Sequence, residues 1–289
     1  MKTSLLFLYA ESALHVGAGK SLSAVDLPIQ RERTTDFPNI QGSGLKGALR
    51  SQTPAEPNDI FAVFGPDTDK AGDYAGALSV GEAHLVLFPV RSLRGVFAYA
   101  TSALALARLA REAAAAEQAV PFSNPAAPAP KTCQITTSSE LGVSGSVVLE
   151  EFAFAASSSA GTDMIAQWFA TNALPPGEEY SFWREKVKKS LVILPDDDFR
   201  DFVLHSTEVT TRVRLEPDSK TVAQGALWTQ EALPADSLLV SAITARRLRN
   251  GGSMDASDVM DWVQQTIPAR IQVGGDETTG LGNCALRWL

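Results

Sequence analysis

Two stretches of the 289-residue sequence set glycine beside polar side chains in a way that suits an anion: GSGLKGALR at residues 42–50 and GGDETTGLG at residues 274–282. Glycine lets a backbone come close to a phosphate chain, and the amides at a helix start can hydrogen-bond an anion without any net positive charge. In the first stretch Ser43 is placed to cap a short helix with Leu45 and Leu49 on its apolar face; Gly44 follows, and Lys46 and Arg50 lie one turn apart, so both can reach one length of nucleic-acid backbone. In the second, Gly274, Gly275, Thr278, Thr279 and Gly280 are the candidate contacts. Arg31 and Arg33 flank Glu32, and as alternate residues of an extended segment they point to one side, a spacing suited to phosphates. Taken singly, each feature also reads as a turn, a solvated helix face or a surface ion-pair patch.

Two other motifs fail on their own chemistry. Gly17-Ala18-Gly19-Lys20-Ser21 ends like a phosphate-binding P-loop, but Leu14 stands where its first glycine is required. Gly274-Gly275-Asp276-Glu277 matches a nucleotide-cyclase signature, yet only twelve residues follow Glu277 and Thr278 stands where Phe is expected.

Composition narrows the class. Apolar residues make up 45% of the chain and charged residues 20%, values of an ordinary globular protein rather than of disorder. The net charge of −8 argues against nucleic acid on its face, but residues 1–50 hold six bases against four acids, so a small electropositive face on an acidic body is compatible with it. Met1 to Ala10 looks like a signal peptide, but its apolar core is too short and Glu11 and His15 follow, which reads as a buried strand. Cys133 and Cys284 lie far apart without metal-binding spacing, which fits a reducing cytoplasm. No apolar run reaches the roughly 18 residues of a membrane helix.

The elements that must position these residues are mixed. Strands are expected over residues 3–9, 77–88, 95–101, 146–154, 191–194 and 238–245, with two more around the last glycine loop within 271–289. Helices are expected after Ser43 and over 102–118, 162–173, 196–204 and 255–266. Residues 207–215 and 222–228 alternate around the turn EPDSKT and form a hairpin. Residues 17–39 form a long loop, and residues 121–131 a Pro/Ala-rich flexible one. Without a regular βαβ alternation the class is α+β.

The stretch HVGAGKSLSAVDLPIQRERTTDFPNIQGSGLKGALR, with DDDFRDFVLHSTEVTTRVRLEPDSKTVAQGALWTQEALP and GGDETTGLG, closely resembles the type III-B (Cmr) CRISPR backbone subunits of the RAMP superfamily, nearly end to end. The resemblance implies one ferredoxin-like, RRM-related domain over residues 1–289. It implies a β-hairpin thumb over 205–235 that interrupts a guide–target duplex, and stacking with further copies and other type III subunits along a CRISPR guide RNA. It also implies metal-dependent cleavage, with Mg2+ expected, of complementary target RNA. The cleaving acid of the family falls on Asp26, with His15 earlier in the same loop and Glu231 as a further acid. An ordinary Asp, with a pKa of about 3.9, is a poor general base at neutral pH, so Asp26 suits holding a divalent ion; it also suits capping a turn before Pro28. Trp228 is either a thumb wedge or core. The type III-A equivalent, a scaffold with an inert Asp26, and a metabolic enzyme using the early loop for a phosphorylated small molecule are the alternative readings.

Overall fold

The computed structural model describes residues 1–21, 24–70 and 72–289, with the backbone alone for Thr68 and Gln224; Leu22 and Ser23 of the resembling stretch lie outside the described residues. In chain order the first elements are strand β1 (Lys2–Ala10), β2 (Asn39–Ile40), helices α1 (Gly42–Gln52) and α2 (Pro57–Phe64), strands β3 (Leu78–Val80), β4 (Ala83–Arg91) and β5 (Phe97–Ser102), and helix α3 (Ala103–Ala115). Strands β6 (Thr132–Ile135), β7 (Ser146–Leu149) and β8 (Phe152–Ser158) lead to helix α4 (Ala160–Trp168), which runs on into a π-helical turn at Phe169–Ala173. Helix α5 (Ser181–Ser190), strand β9 (Leu191–Leu194) and helix α6 (Asp196–His205) precede the hairpin of β10 (Glu208–Leu215) and β11 (Val222–Ala232). Strand β12 (Leu238–Ala245), helix α7 (Ala256–Thr266) and strands β13 (Arg270–Gln272) and β14 (Asn283–Trp288) end the chain.

The heart of the fold is the strand order β14-β1-β12-β4, antiparallel throughout. Helix α1 lies in the connection from β1 to β4, and α7 in that from β12 to β14, so each crossover skips over one strand. That is the split βαβ arrangement of a ferredoxin-like fold. β1 is buried on both faces, which is why it reads as a continuous apolar run. Leu6 and Leu8 pack with Leu45 and Leu49 of α1 and Val259 and Val263 of α7. Leu5, Phe7 and Tyr9 pack with Leu106 and Leu109 of α3, Ile165 of α4 and Val187 of α5. The upper half of β4 turns to β5, and the sheet continues through β9, β6, β8 and β7, with β5–β9 and β6–β8 parallel.

The α+β class and the ferredoxin-like core agree with the sequence reading, and three local expectations change. The segment 77–88 is two strands, because both pair with β12 and the chain steps aside at Gly81, where a Cβ would meet the Ala242 carbonyl at 2.9 Å. The segment 146–154 is the hairpin β7–β8, turned at Glu150 in a left-handed conformation. Residues 121–131 contain no helix or strand, but Phe122 is buried and stacks on Phe169.

Candidate active site and nucleic-acid interface

Three consecutive residues at the root of the hairpin, Thr229, Gln230 and Glu231 on β11, fasten two loops: Thr229 and Glu231 the long loop, Gln230 the terminal glycine loop. Thr229 holds Asp26: its amide and its hydroxyl donate to Oδ2 at 2.7 and 2.9 Å, while the Asp26 amide donates back to the Thr229 hydroxyl at 3.0 Å. Asp26 is exposed, and the Thr229 hydrogen bonds hold its carboxyl below the ordinary value. Gln230, alternating to the other side of the strand, donates to Asp276 in the terminal glycine loop. Glu231 is buried, and its Oε1 accepts from Arg31 at 2.5 Å and Thr207 at 2.8 Å while Oε2 accepts from the Ile29 amide at 3.0 Å.

This geometry corrects two expected roles. Glu231 has both carboxylate oxygens engaged inside the protein, so it organises the loop rather than meeting RNA. Arg31 donates to Glu231 and also to the Asp36 and Val203 carbonyls, at 2.8 and 3.0 Å, so its guanidinium is not a free phosphate ligand. Arg33 opens the turn after it, stays exposed, and has no hydrogen bond or ion pair among the described residues; the extended spacing expected for the pair ends there. His15 is buried, with Nδ1 2.6 Å from the Glu231 carbonyl oxygen and its ring against Gly17 and Gly275. A ring nitrogen facing a carbonyl must carry the proton, which leaves Nε2 as the lone-pair nitrogen in the neutral form.

The two glycine stretches, more than 220 residues apart, line one groove. Gly44, Ala48 and Ser51 of α1 face Gly274 and Gly275, with Val16 and Gly17 of the long loop between them. Gln52 joins the two sides, donating to the Gln272 carbonyl at 2.7 Å and accepting from its amide at 2.8 Å. Gly274 is required by packing, since a Cβ would stand 2.3 Å from the His15 carbonyl oxygen, and Gly275 donates its amide to that oxygen at 2.9 Å. Gly44 and Gly47 are different. A Cβ on either would meet nothing within 4 Å, yet each costs a helix about 1 kcal/mol against alanine. Buried Leu45 and Leu49 hold α1 in place, each contributing about 2 kcal/mol or more. The glycine face of α1 is therefore left open rather than packed.

On its other side α1 meets a basic cleft. Ser43, Lys46, Arg246 and Arg249 line it, with the backbone of residues 76–80 as its floor. Ser43 does not cap α1: the helix starts at Gly42 after Gln41, and no side chain bonds the first-turn amides. Gly42 itself is needed, because a Cβ would meet the Val80 carbonyl at 2.5 Å. Lys46 donates to the Leu78 carbonyl at 3.1 Å, and burial, with Arg50 nearby, lowers its pKa. Arg50 instead clamps the end of α2, donating to Gly65 and Pro66 carbonyls and pairing with Asp67 at 2.7 Å. Thr278, Thr279 and Gly280 are exposed on the glycine loop, and Gly280 is left-handed with open space around it. Sequence reasoning missed Thr229, Gln230, Asp276, Arg246 and Arg249; the run Arg246-Arg247-Leu248-Arg249 was a visible signal. Among the described residues no group of three His, Cys, Asp or Glu side chains is placed to hold a metal. Among the same residues, no helix is long and apolar enough to cross a membrane.

The fold is that of a known family. Residues 7–285 match the RAMP superfamily profile, and the chain belongs to that superfamily. It is 38% identical over 295 residues to a Pyrococcus furiosus protein named CRISPR system Cmr endoribonuclease Cmr4, covering 98% of this chain and 94% of the relative. It is 30% identical over 305 residues to the CRISPR system CMR subunit Cmr4 of Saccharolobus solfataricus, covering 98% and 95%. The crystal structure of oligomeric Cmr4 from Pyrococcus furiosus matches with a TM-score of 0.76 at 32% identity, over 100% of this chain and 99% of that one.

Proposed function

We propose that this chain is a guide-RNA-binding backbone subunit of a type III-B CRISPR effector and that it cuts target RNA paired with the guide. The observation that carries the reading is the root of the hairpin, where one strand holds Asp26, the glycine loop and the loop around His15 together. Guide RNA crosses α1 from the basic cleft, where the first-turn amides, Lys46, Arg246 and Arg249 meet its phosphates, to the open glycine groove with the loop 274–280 beside it. The hairpin is the thumb. Its outer surface sets aliphatic side chains among polar ones, with Val209, Val213, Leu215, Val222 and Leu227 each about half exposed or more, and these rather than half-buried Trp228 are suited to part a base step. Further copies of the chain stack along the guide, with other type III subunits, in the cytoplasm.

Asp26 is the residue placed at the cut. Oδ2 is engaged by Thr229, and Oδ1 receives no hydrogen bond from another described residue, so an ionised oxygen faces outward. A lone carboxylate is not a metal cage, but it fits Mg2+, which keeps most of its waters and is shared with substrate phosphates. When bound, such an ion would supply charge stabilisation as the RNA's own 2′-hydroxyl attacks the adjacent phosphorus and the 5′-oxygen of the next nucleotide leaves. Asp26 anchors that charge. His15 and Glu231 hold the loop that carries it.

The isolation of Asp26 from other free acids is also what an inert turn residue in a scaffold looks like, and one experiment separates the two. The complex is reconstituted with guide, complementary RNA and Mg2+, and Asp26→Asn is compared with the parent. The Asn variant assembles and binds target normally while cleavage falls by at least about a hundredfold. Cleavage by the Asn variant at the parental rate makes the chain a scaffold.

A further inference from the structure

We infer that Thr229, on the thumb strand, is the positioning residue for Asp26, so that the seating of the hairpin root sets the orientation of the carboxylate at the cut. The inference rests on the reading of Asp26 given above. An exposed aspartate in a loop ordinarily samples several rotamers about χ1 and χ2. Asp26 cannot do so freely here. The Thr229 hydroxyl donates to Oδ2 and accepts from the Asp26 amide, so one oxygen ties both the side chain and the backbone of the same residue. The Thr229 amide makes the second bond to Oδ2, and the Leu27 amide donates to the Thr229 carbonyl at 3.0 Å. Three of these four hydrogen bonds join Asp26 to Thr229 and the fourth ties the next residue, Leu27, to the same place on the strand; none of them engages Oδ1.

The hydroxyl contributes something no other group at the site supplies. Its loss removes one of the two bonds that Thr229 makes to Oδ2 and leaves the Thr229 amide as the strand's single hold on the carboxylate, and misplacement of a reacting group by about 1 Å can lower a rate about a hundredfold. Thr229 itself need not touch the RNA. It is half-buried and acts through Asp26. Because it lies next to Gln230 and Glu231, whose side chains hold the glycine loop and the long loop that carries Asp26, a displacement of β11 reaches both loops together.

The test uses the assembled complex with guide RNA and Mg2+. Single-turnover cleavage and target affinity are measured for Thr229→Val, which keeps the shape and deletes the hydroxyl, Thr229→Ser, which keeps the hydroxyl, and Asp26→Asn. Thr229→Val is expected to cut about ten- to a hundredfold more slowly with target affinity within about twofold of the parent, and Thr229→Ser to cut within about threefold of it. A Ser variant that assembles but cuts as slowly as Asp26→Asn overturns the inference, since the hydroxyl would then not be the determinant; this arm stands even if the Val variant fails to assemble. Parental cleavage by Thr229→Val beside an inactive Asp26→Asn overturns the role of Thr229 and leaves that of Asp26. Parental cleavage by Asp26→Asn overturns both.

Discussion

At the scale of single residues, the pairings decide which charges are available to RNA. Glu32, between the two arginines of the RER triplet, bonds His84 at 2.8 Å and Arg108 at 2.6 Å, and the other ring nitrogen of His84 lies 3.5 Å from Glu112. Burial alone would raise the Glu32 carboxyl, but bonds from His84, Thr35 and Arg108 hold it down to about 2. The Glu32 bond raises His84 above its ordinary 6.5 against the effect of burial, and burial raises Glu112. The depressed Glu32 adds stability that is present above pH 4.5 and lost as pH falls toward 2. The raised His84 adds stability that is complete below pH 6.5 and lost as pH rises through its folded value; Glu112, also raised, loses its advantage from its ordinary 4.5 upward. Stability measured by urea unfolding should therefore decline from pH 6.5 to 8, and His84→Gln should flatten that limb. An identical decline in the variant would show that His84 does not carry it.

Among the elements, the hairpin was legible in the sequence because its strands alternate around a polar turn, but its dual character was not. Outward it presents aliphatic side chains among polar ones; at its root it holds the loop that carries Asp26. Cutting back Leu215–Val222 to a short glycine turn removes the outer part and leaves Thr229, Gln230 and Glu231 in place. Guide RNA should stay bound and the fold should hold, while the product ladder from complementary RNA loses its regular spacing. A ladder identical to the parent's would place the interruption of the duplex elsewhere. Helix α1 was legible too, through Leu45 and Leu49, whereas α2, α5 and β6 were missed because each is short and its apolar pattern follows neighbours distant in sequence.

For the whole molecule, the net charge of −8 is a poor guide to what it binds, because the basic cleft draws Lys46 from one end of the chain and Arg246 and Arg249 from the other. Arg246→Ala and Arg249→Ala should each lower the slope of log affinity for guide RNA against log salt by about 1. Arg50→Ala should leave that slope unchanged and lower stability, since Arg50 holds the end of α2 instead. A slope altered by Arg50 and untouched by Arg246 and Arg249 would move the guide to another face.

The sequence by itself determined the strand β1, the amphipathic helices and the glycine stretches, because periodicity and backbone freedom are local properties written in neighbouring residues. It also carried the resemblance that puts Asp26 in the first loop. Only the tertiary structure decided which polar groups are free. Arg31, Glu231 and Arg50 look in sequence like surface charges, and each is committed to a partner 17 to 200 residues away. Gly42, Gly274 and Gly282 prove to be packing requirements, while Gly44 and Gly47 do not. Hydrogen bonds and ion pairs join whatever the crossovers bring together, and a strand near residue 230 reaches a loop near residue 26 only after the sheet between them has formed.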